Sequence, residues 1–188
     1  MNRRSTAFTL TSMGIFAAIS IVLVAFIHFP LFPAAAFLEY DPADIPILIC
    51  TLLFGPWWGL GMTVIVSLVQ GMTVSAQSGI YGILMHIIAT GTYVIVCGLI
   101  AHKNRENYVR VIIALIAGTI AMVAVMGVAN VLITPHFMGT TRDVVLKMLV
   151  PAILPFNLLK AGINSVFSAI IYRLISPQIK KVTQKYGL

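Results

Sequence analysis

Four long apolar segments run along the chain: Phe8–Ile27, Ile80–Ala101, Val111–Ile133 and roughly Leu146–Ile175. A helix needs about 20 apolar residues to cross the ~30 Å hydrocarbon core of a bilayer, and each segment is long enough. A fifth region, Ile45–Val74, is equally apolar but is interrupted by GPWWG, Gly55 to Gly59. Such a turn signal leaves two readings, one broken span or two short ones.

Composition narrows the class. The 188 residues are 60% hydrophobic and 9% charged, where a soluble domain carries about 25% charged residues. So little polarity cannot cover a water-facing surface, which predicts an integral, multi-pass membrane protein. The first apolar run exceeds a signal-peptide core and no small-residue cleavage site follows it, so it is read as retained. Cys50 and Cys97 lie inside apolar segments with no C-x-x-C pattern and read as packing thiols.

Charge chooses between the two readings of Ile45–Val74. The net charge of +7 could suggest nucleic acid, but in a membrane chain basic excess belongs to cytoplasmic loops. If the region crosses twice, Arg3, Arg4, Lys103, Arg105, Arg110, Arg173, Lys180, Lys181 and Lys185 all fall on one side, with Arg142 and Lys147 on the other. The expectation is an all-α bundle of six transmembrane helices, both termini cytoplasmic, in one domain (1–188). The spans are approximately 8–28, 44–55, 57–73, 80–101, 109–133 and 146–175. The two middle helices are then short, and short interrupted segments are tolerated where protein covers them or a cavity adjoins them. That points to a pocket near the outer face. Trp57 and Trp58 at the inner turn fit an interfacial aromatic belt.

Polar residues in so apolar a chain mark the candidate chemistry. FLEYDPADIP (Phe37–Pro46), after an outer loop opened by Pro30 and Pro33, gathers Glu39, Asp41 and Asp44, three of the five acidic residues. Asp41 or Asp44 could cap the second helix, and Asp44 is the one assigned to it. Glu39 and Tyr40 beside them suit a ligand with several hydroxyls and a flat ring. In PFNLLKAGINS (Pro155–Ser165), Asn157, Lys160 and Asn164 are spaced i, i+3, i+7, one helical stripe. A lysine at mid-bilayer costs roughly 2.5–3.5 kcal/mol on insertion scales, so the stripe is expected to face inward and to be functional. The bland alternative is interhelical hydrogen bonding by the asparagines and a snorkelling Lys160. Asn130 is a further candidate at the outer end of the fifth span, and Gln70, Gln77, Ser78 and Tyr81 mark the outer loop after the third. His28, His86, His102 and His136 lack metal-ligand spacing, so no metal is expected. Gly14, Ala17 and Ala18 make the first span a small-residue surface that a second helix could approach, inside the bundle or in a partner.

Together, FLEYDPADIP followed by FGPWWG, and FNLLKAGIN, resemble the riboflavin-specific substrate-capture subunit (S component) of energy-coupling factor, or ECF-type, vitamin transporters. The resemblance covers essentially the whole chain. It implies a six-helix cup in the bacterial cell membrane that binds riboflavin as cargo beneath its first outer loop, with FMN a further candidate. It also implies docking of Gly14, Ala17 and Ala18 onto a transmembrane scaffold subunit driven by two ATPase subunits. By the same resemblance Asn130, Asn157, Lys160 and Asn164 hold the flavin ring, and Glu39 helps with the ribityl chain. Gly14 stands where the family more usually has Ala.

The residues themselves agree with such a cargo. An Asn amide both donates and accepts and so matches a ring carbonyl beside an N–H, whereas Lys only donates. Hydroxyls of a polyol can donate to Glu39 or Asp41. Tyr40 and Gln77 complete the expected binding set. No catalytic residues and no cofactor are expected, and the chain has no G-x-x-x-x-G-K-[ST] phosphate loop, which leaves ATP to partners. Two rivals stand beside this reading. An ion-coupled transporter would show internal repeats and paired broken helices, which the sequence lacks. An intramembrane enzyme would need a nucleophile with a base in reach, for which Ser75, Ser78 and His86 are the nearest set.

Overall fold

The computed structural model describes residues 3–32 and 35–186. Pro33 lies outside them, as do the side chains of Arg3, Arg4 and Lys185. The elements in chain order are α1 (Arg3–Phe26), a hairpin of β1 (Phe29–Pro30) and β2 (Glu39–Tyr40), α2 (Asp44–Phe54), α3 (Pro56–Met72), α4 (Gly79–His102), α5 (Tyr108–Met138), α6 (Arg142–Met148) and α7 (Leu154–Tyr186). A 3-10 turn, Ala76–Ser78, precedes α4, and a π-helical turn, Leu149–Ile153, joins α6 to α7. The architecture is helical, as the apolar pattern predicts. Among the described residues the strands are confined to a two-residue antiparallel hairpin, with Phe29 opposite Tyr40 and Pro30 opposite Glu39.

Among the described residues four helical stretches are long and apolar enough to cross a membrane: Ser5–Phe26, Ala76–His102, Tyr108–Met138 and Arg142–Val182. At 1.5 Å per residue, α2 is about 16 Å long and α3 about 25 Å, short of the hydrocarbon thickness. The chain breaks between them at Gly55, whose φ of 112° lies where a Cβ is strained. Pro56 then opens α3, where its missing N–H is no loss. The Arg105 guanidinium donates to the Leu53 carbonyl left open by the break, and the Tyr172 hydroxyl donates to the Arg105 carbonyl at 3.1 Å. The α2–α3 turn, the α4–α5 loop and the C-terminal half of α7 therefore meet at one end of the bundle. Arg173 stacks over the Tyr108 ring there, 5.1 Å from its centroid, and Lys180 pairs with Glu106.

The main core is built from α2, α3, α4 and α5 around Met62, Val66, Tyr93, Val94, Val111 and Met122. Gly118 lets α5 lie against Tyr93: a Cβ there would sit 2.4 Å from the ring. Lipid tails are as apolar as leucine, so such close packing, and not burial from water, holds helices together in a bilayer. The Tyr93 hydroxyl is buried and finds Ser165 and Thr119. Cys50 and Cys97 are free and buried in the same core. A second, smaller core joins the loop after α1 to the start of α7, through Ala35, Leu38, Val145, Ala152, Ile153 and Phe156. It seats residues 35–38 over the end of the bundle opposite Gly55.

Candidate functional site

Helix α7 starts unusually. Pro151 and Pro155 cannot donate to the ladder, and the turn Leu149–Ile153 that holds Pro151 is π-helical, a local widening frequent at functional positions. From there Asn157, Lys160, Ala161, Asn164 and Ser168 fall on one face, and all five are buried. Asn157 Nδ2 donates back to the Ile153 carbonyl at 2.8 Å, which holds its amide at the π turn.

The stripe meets the acidic loop. Lys160 Nζ donates to Asp41 Oδ2 at 2.7 Å, both side chains almost fully buried. Each charge would be costly there without the other. The other carboxylate oxygen of Asp41 accepts from the Ala43 N–H at 3.0 Å, bracing the loop just ahead of α2. Asn164 accepts from the Tyr40 hydroxyl at 3.1 Å and donates to the Asp41 carbonyl and to Asp44 Oδ2, both at 3.3 Å. Burial and the charge of Asp41 raise the Tyr40 phenol above its usual range, which keeps it a protonated donor.

Asp44 corrects an expectation. It makes no capping bond: the N-cap position is Ala43 and carries no side-chain cap. Its carboxylate points across the bundle, accepting from Thr90 Oγ1 at 2.7 Å and from His86 Nε2 at 3.1 Å. The other ring nitrogen, Nδ1, lies 2.8 Å from Ser67 Oγ, and that hydroxyl donates to the Thr63 carbonyl at 2.6 Å. The loop, α2, α3, α4 and α7 thus share one polar network.

Above that network lies a cavity of about 170 Å³, counted as space open to the centre of a water molecule. Glu39, Asp41, Asn130, Asn157 and Lys160 line it. Tyr40 and Asn164 do not reach it; they form the layer behind Asp41 and Lys160. Gln77 sits exposed on the 3-10 turn, away from the cavity. Asn130 is buried and internally bonded, donating to the Met126 carbonyl and accepting from Thr134. The apolar wall comes from Met122, Met126, Ile133 and Phe156, and Phe37, Phe137 and Tyr81 stand at the rim with ring centroids 6.2–6.5 Å apart. A mostly apolar concavity with a few fixed polar groups is the common form of a small-molecule site.

Two wall residues stand out that sequence reasoning did not place in the site. The sequence offers His86 only as a metal ligand without the right spacing and as the base of a set with Ser75 and Ser78, yet an ionisable side chain within a span is itself the signal. In the sequence Gln70 only marks the outer loop after the third span, but it is buried at the end of α3 and faces the cavity. Among the described residues no group of three or more His, Cys, Asp or Glu could hold a metal ion.

On α1 the small residues divide. Gly14 and Ala18 are exposed, and a Cβ at Gly14 would meet nothing within 4 Å. Ala17 instead packs against the main core.

This geometry has a counterpart among known proteins. A family model described as "ECF transporter, substrate-specific component" matches residues 8–172. The chain belongs to that family. Two curated relatives of this ECF component are the riboflavin transporter FmnP of Bacillus subtilis and the riboflavin transporter RibU of Streptococcus thermophilus. FmnP is 27% identical over 180 residues, 92% of this chain and 94% of its own. RibU is 31% identical over 173 residues, 87% of this chain and 80% of its own. A solved S component of a bacterial ECF transporter superposes with a TM-score of 0.81 at 26% identity, covering 93% of this chain and 99% of that one. ThiT from Listeria monocytogenes shares the fold at 18% identity and a TM-score of 0.56, covering 98% of each chain. The ECF component described here is a multi-pass membrane transport protein, and its relatives are transporters, not enzymes.

Proposed function

We propose that this chain captures riboflavin at the outer face of the membrane and delivers it as the substrate-binding subunit of an ATP-driven ECF transporter. The observation that carries the reading is the cavity under the loop 35–41, walled on one side by Asn157 and Lys160 and on another by apolar and aromatic groups. The naming of its relatives as riboflavin transporters supports the choice of cargo. The flat ring system suits the methionine and aromatic walls; its polar edge suits the amides of Asn130 and Asn157 and the ammonium of Lys160. Asn164 and Tyr40 act from behind, fixing Asp41 and through it Lys160. Glu39, half-buried at the cavity wall, takes a hydroxyl of the tail. Riboflavin is cargo here, with no resident cofactor, and FMN binds more weakly. Lys160 is the only lysine or arginine in the wall among the described residues, and Asp41 already occupies it; Glu39 and Asp41 would repel a phosphate.

The same reading has six crossings with both termini in the cytoplasm. The bond from Arg105 to the Leu53 carbonyl supports it, since it puts the α2–α3 turn and the basic α4–α5 loop at one end. Gly14 and Ala18 form the outward surface for the scaffold subunit, and the two ATPase subunits act through that scaffold.

The test is an absorption spectrum of the protein purified in detergent, followed by titration with riboflavin and with FMN. Flavin bands or saturable quenching of riboflavin fluorescence is the expected result. Colourless protein with no binding at micromolar riboflavin would refute the cargo and leave the fold standing.

A further inference from the structure

The amides expected to face the ligand are already engaged. Asn130 and Asn164 each both donate and accept within the protein, and Asn157 donates to its own helix. Gln70 differs. It is 9% exposed and lines the cavity, and its Oε1 is buried without a hydrogen-bond partner. Its Nε2 reaches only Ser75 Oγ, at 3.5 Å, the long limit for a hydrogen bond. Leaving a buried acceptor unpaired is unfavourable, so native structures seldom do it without a reason.

The side chain is also held in place. The carbonyl of Gln70 accepts from the N–H groups of Thr73 and Ser75, closing the end of α3. Next to it Gly71 lets Ile83 press in, since a Cβ there would lie 2.2 Å from that side chain. The terminus of α3 is thereby fixed on α4 with Gln70 turned to the cavity. Ser75 and Ser78 line the wall nearby in sequence, so this part of it is hydroxyl-rich and uncharged. An open carbonyl beside hydroxyls matches a group that both donates and accepts, which is the chemistry of a polyol, not of an apolar ring.

We propose that Gln70 anchors the polyol tail of the ligand, its Oε1 accepting from a tail hydroxyl on the wall that α3 and the 3-10 turn provide. The inference rests on the flavin reading above and adds a specificity residue to it. With Glu39 taking one hydroxyl and Gln70 another, the tail is held at two points.

The experiment uses the full chain in detergent, titrated with riboflavin and with lumiflavin, which keeps the ring and has a methyl group in place of the tail. Gln70→Met keeps the length of the side chain and removes both polar atoms; Gln70→Leu gives the same reading should the methionine variant fail to fold. Riboflavin should bind about tenfold more weakly to the variant, while lumiflavin changes by less than about twofold. Equal weakening of both ligands would overturn the proposal, since Gln70 would then serve the ring or the pocket shape. Unchanged riboflavin binding would overturn it as well, with the cargo still established by the wild type. A wild-type protein that binds neither flavin would overturn the cargo and this anchor together.

Discussion

Helices α1 and α7 are both long and apolar enough to cross a bilayer, yet they carry their exceptional residues on opposite faces. In α7 the polar residues turn in, and Asn157, Lys160 and Asn164 are all buried. In α1 the small residues Gly14 and Ala18 turn out, beside exposed Ile15, Ile19 and Val22. Only 22% of the apolar window of α1 is buried, against 39–44% in the other three candidate spans. The difference follows from the solvent. Lipid cannot pair a charge or an amide, so a polar stripe must find partners inside and builds a site there. Lipid is indifferent to a missing side chain, so small residues on an outer face gain value only when another helix lies against them. The two helices are joined through one residue of the loop: Ser20 of α1 donates to the Ala43 carbonyl at 2.9 Å, and Ala43 donates to Asp41, the partner of Lys160.

The sharpest way to break this contrast is at the buried pair. Lys160→Met leaves the Asp41 carboxylate buried without its cation and should cost about 3–5 kcal/mol of stability, read as a fall in the thermal midpoint of the purified protein. Riboflavin affinity should drop at least about a hundredfold, a loss of roughly 3 kcal/mol. Adding Asp41→Asn removes the orphaned charge, so the double variant should regain most of the stability and little of the binding. Recovery of binding as well would make Lys160 a structural counter-ion and nothing more.

The next effect lies on α1. Gly14→Leu and Ala18→Leu extend side chains from an exposed surface, so the isolated subunit should keep its thermal midpoint and its riboflavin affinity. Uptake by cells that supply the partner subunits should fall at least about tenfold, because two helices in close contact have no room for an added leucine. Normal uptake would remove the scaffold from this face. Reduced riboflavin affinity in the isolated subunit would instead mean that the residues act within the bundle.

How far the sequence reached depends on what kind of signal was present. The break at Gly55 was legible because GPWWG is a turn signal set inside an apolar run, and α2 and α3 part there. The stripe at Asn157, Lys160 and Asn164 was legible because its spacing matches a helix and its cost in lipid leaves few alternatives. The partner of Lys160 was not, since Asp41 lies 119 positions away and no local pattern encodes that pairing. Asp44 misled for a related reason: its place at a helix start fits a cap, and nothing local announces His86 and Thr90 across the bundle. The π turn at Leu149–Ile153 and the two-residue hairpin were also hidden, because both arise where the loop packs against α6 and α7.

A smaller effect tests the link between the two helices. Ser20→Ala removes the hydrogen bond that ties the Ala43 carbonyl to α1, a loss on the order of 1 kcal/mol. The loop then loses one restraint near Asp41 without losing any group in the cavity wall. Riboflavin should dissociate about fivefold faster, while the association rate holds, as stopped-flow fluorescence would show. An unchanged off-rate would mean that α1 and the loop move independently.

The smallest expected effect belongs to Gln77, which shares its residue type and its stretch of chain with Gln70. Gln77 is exposed on the 3-10 turn and outside the cavity wall, so Gln77→Ala exchanges one solvated or headgroup-facing side chain for another. Such surface changes usually stay within about 0.5 kcal/mol, which keeps riboflavin affinity within about twofold. Seven residues separate the two glutamines, yet one ends a helix pinned to α4 and the other sits on a turn facing outward. If Gln77→Ala weakened riboflavin as much as Gln70→Met does, the turn would have to fold inward around the ligand, and the cavity wall would extend beyond α3.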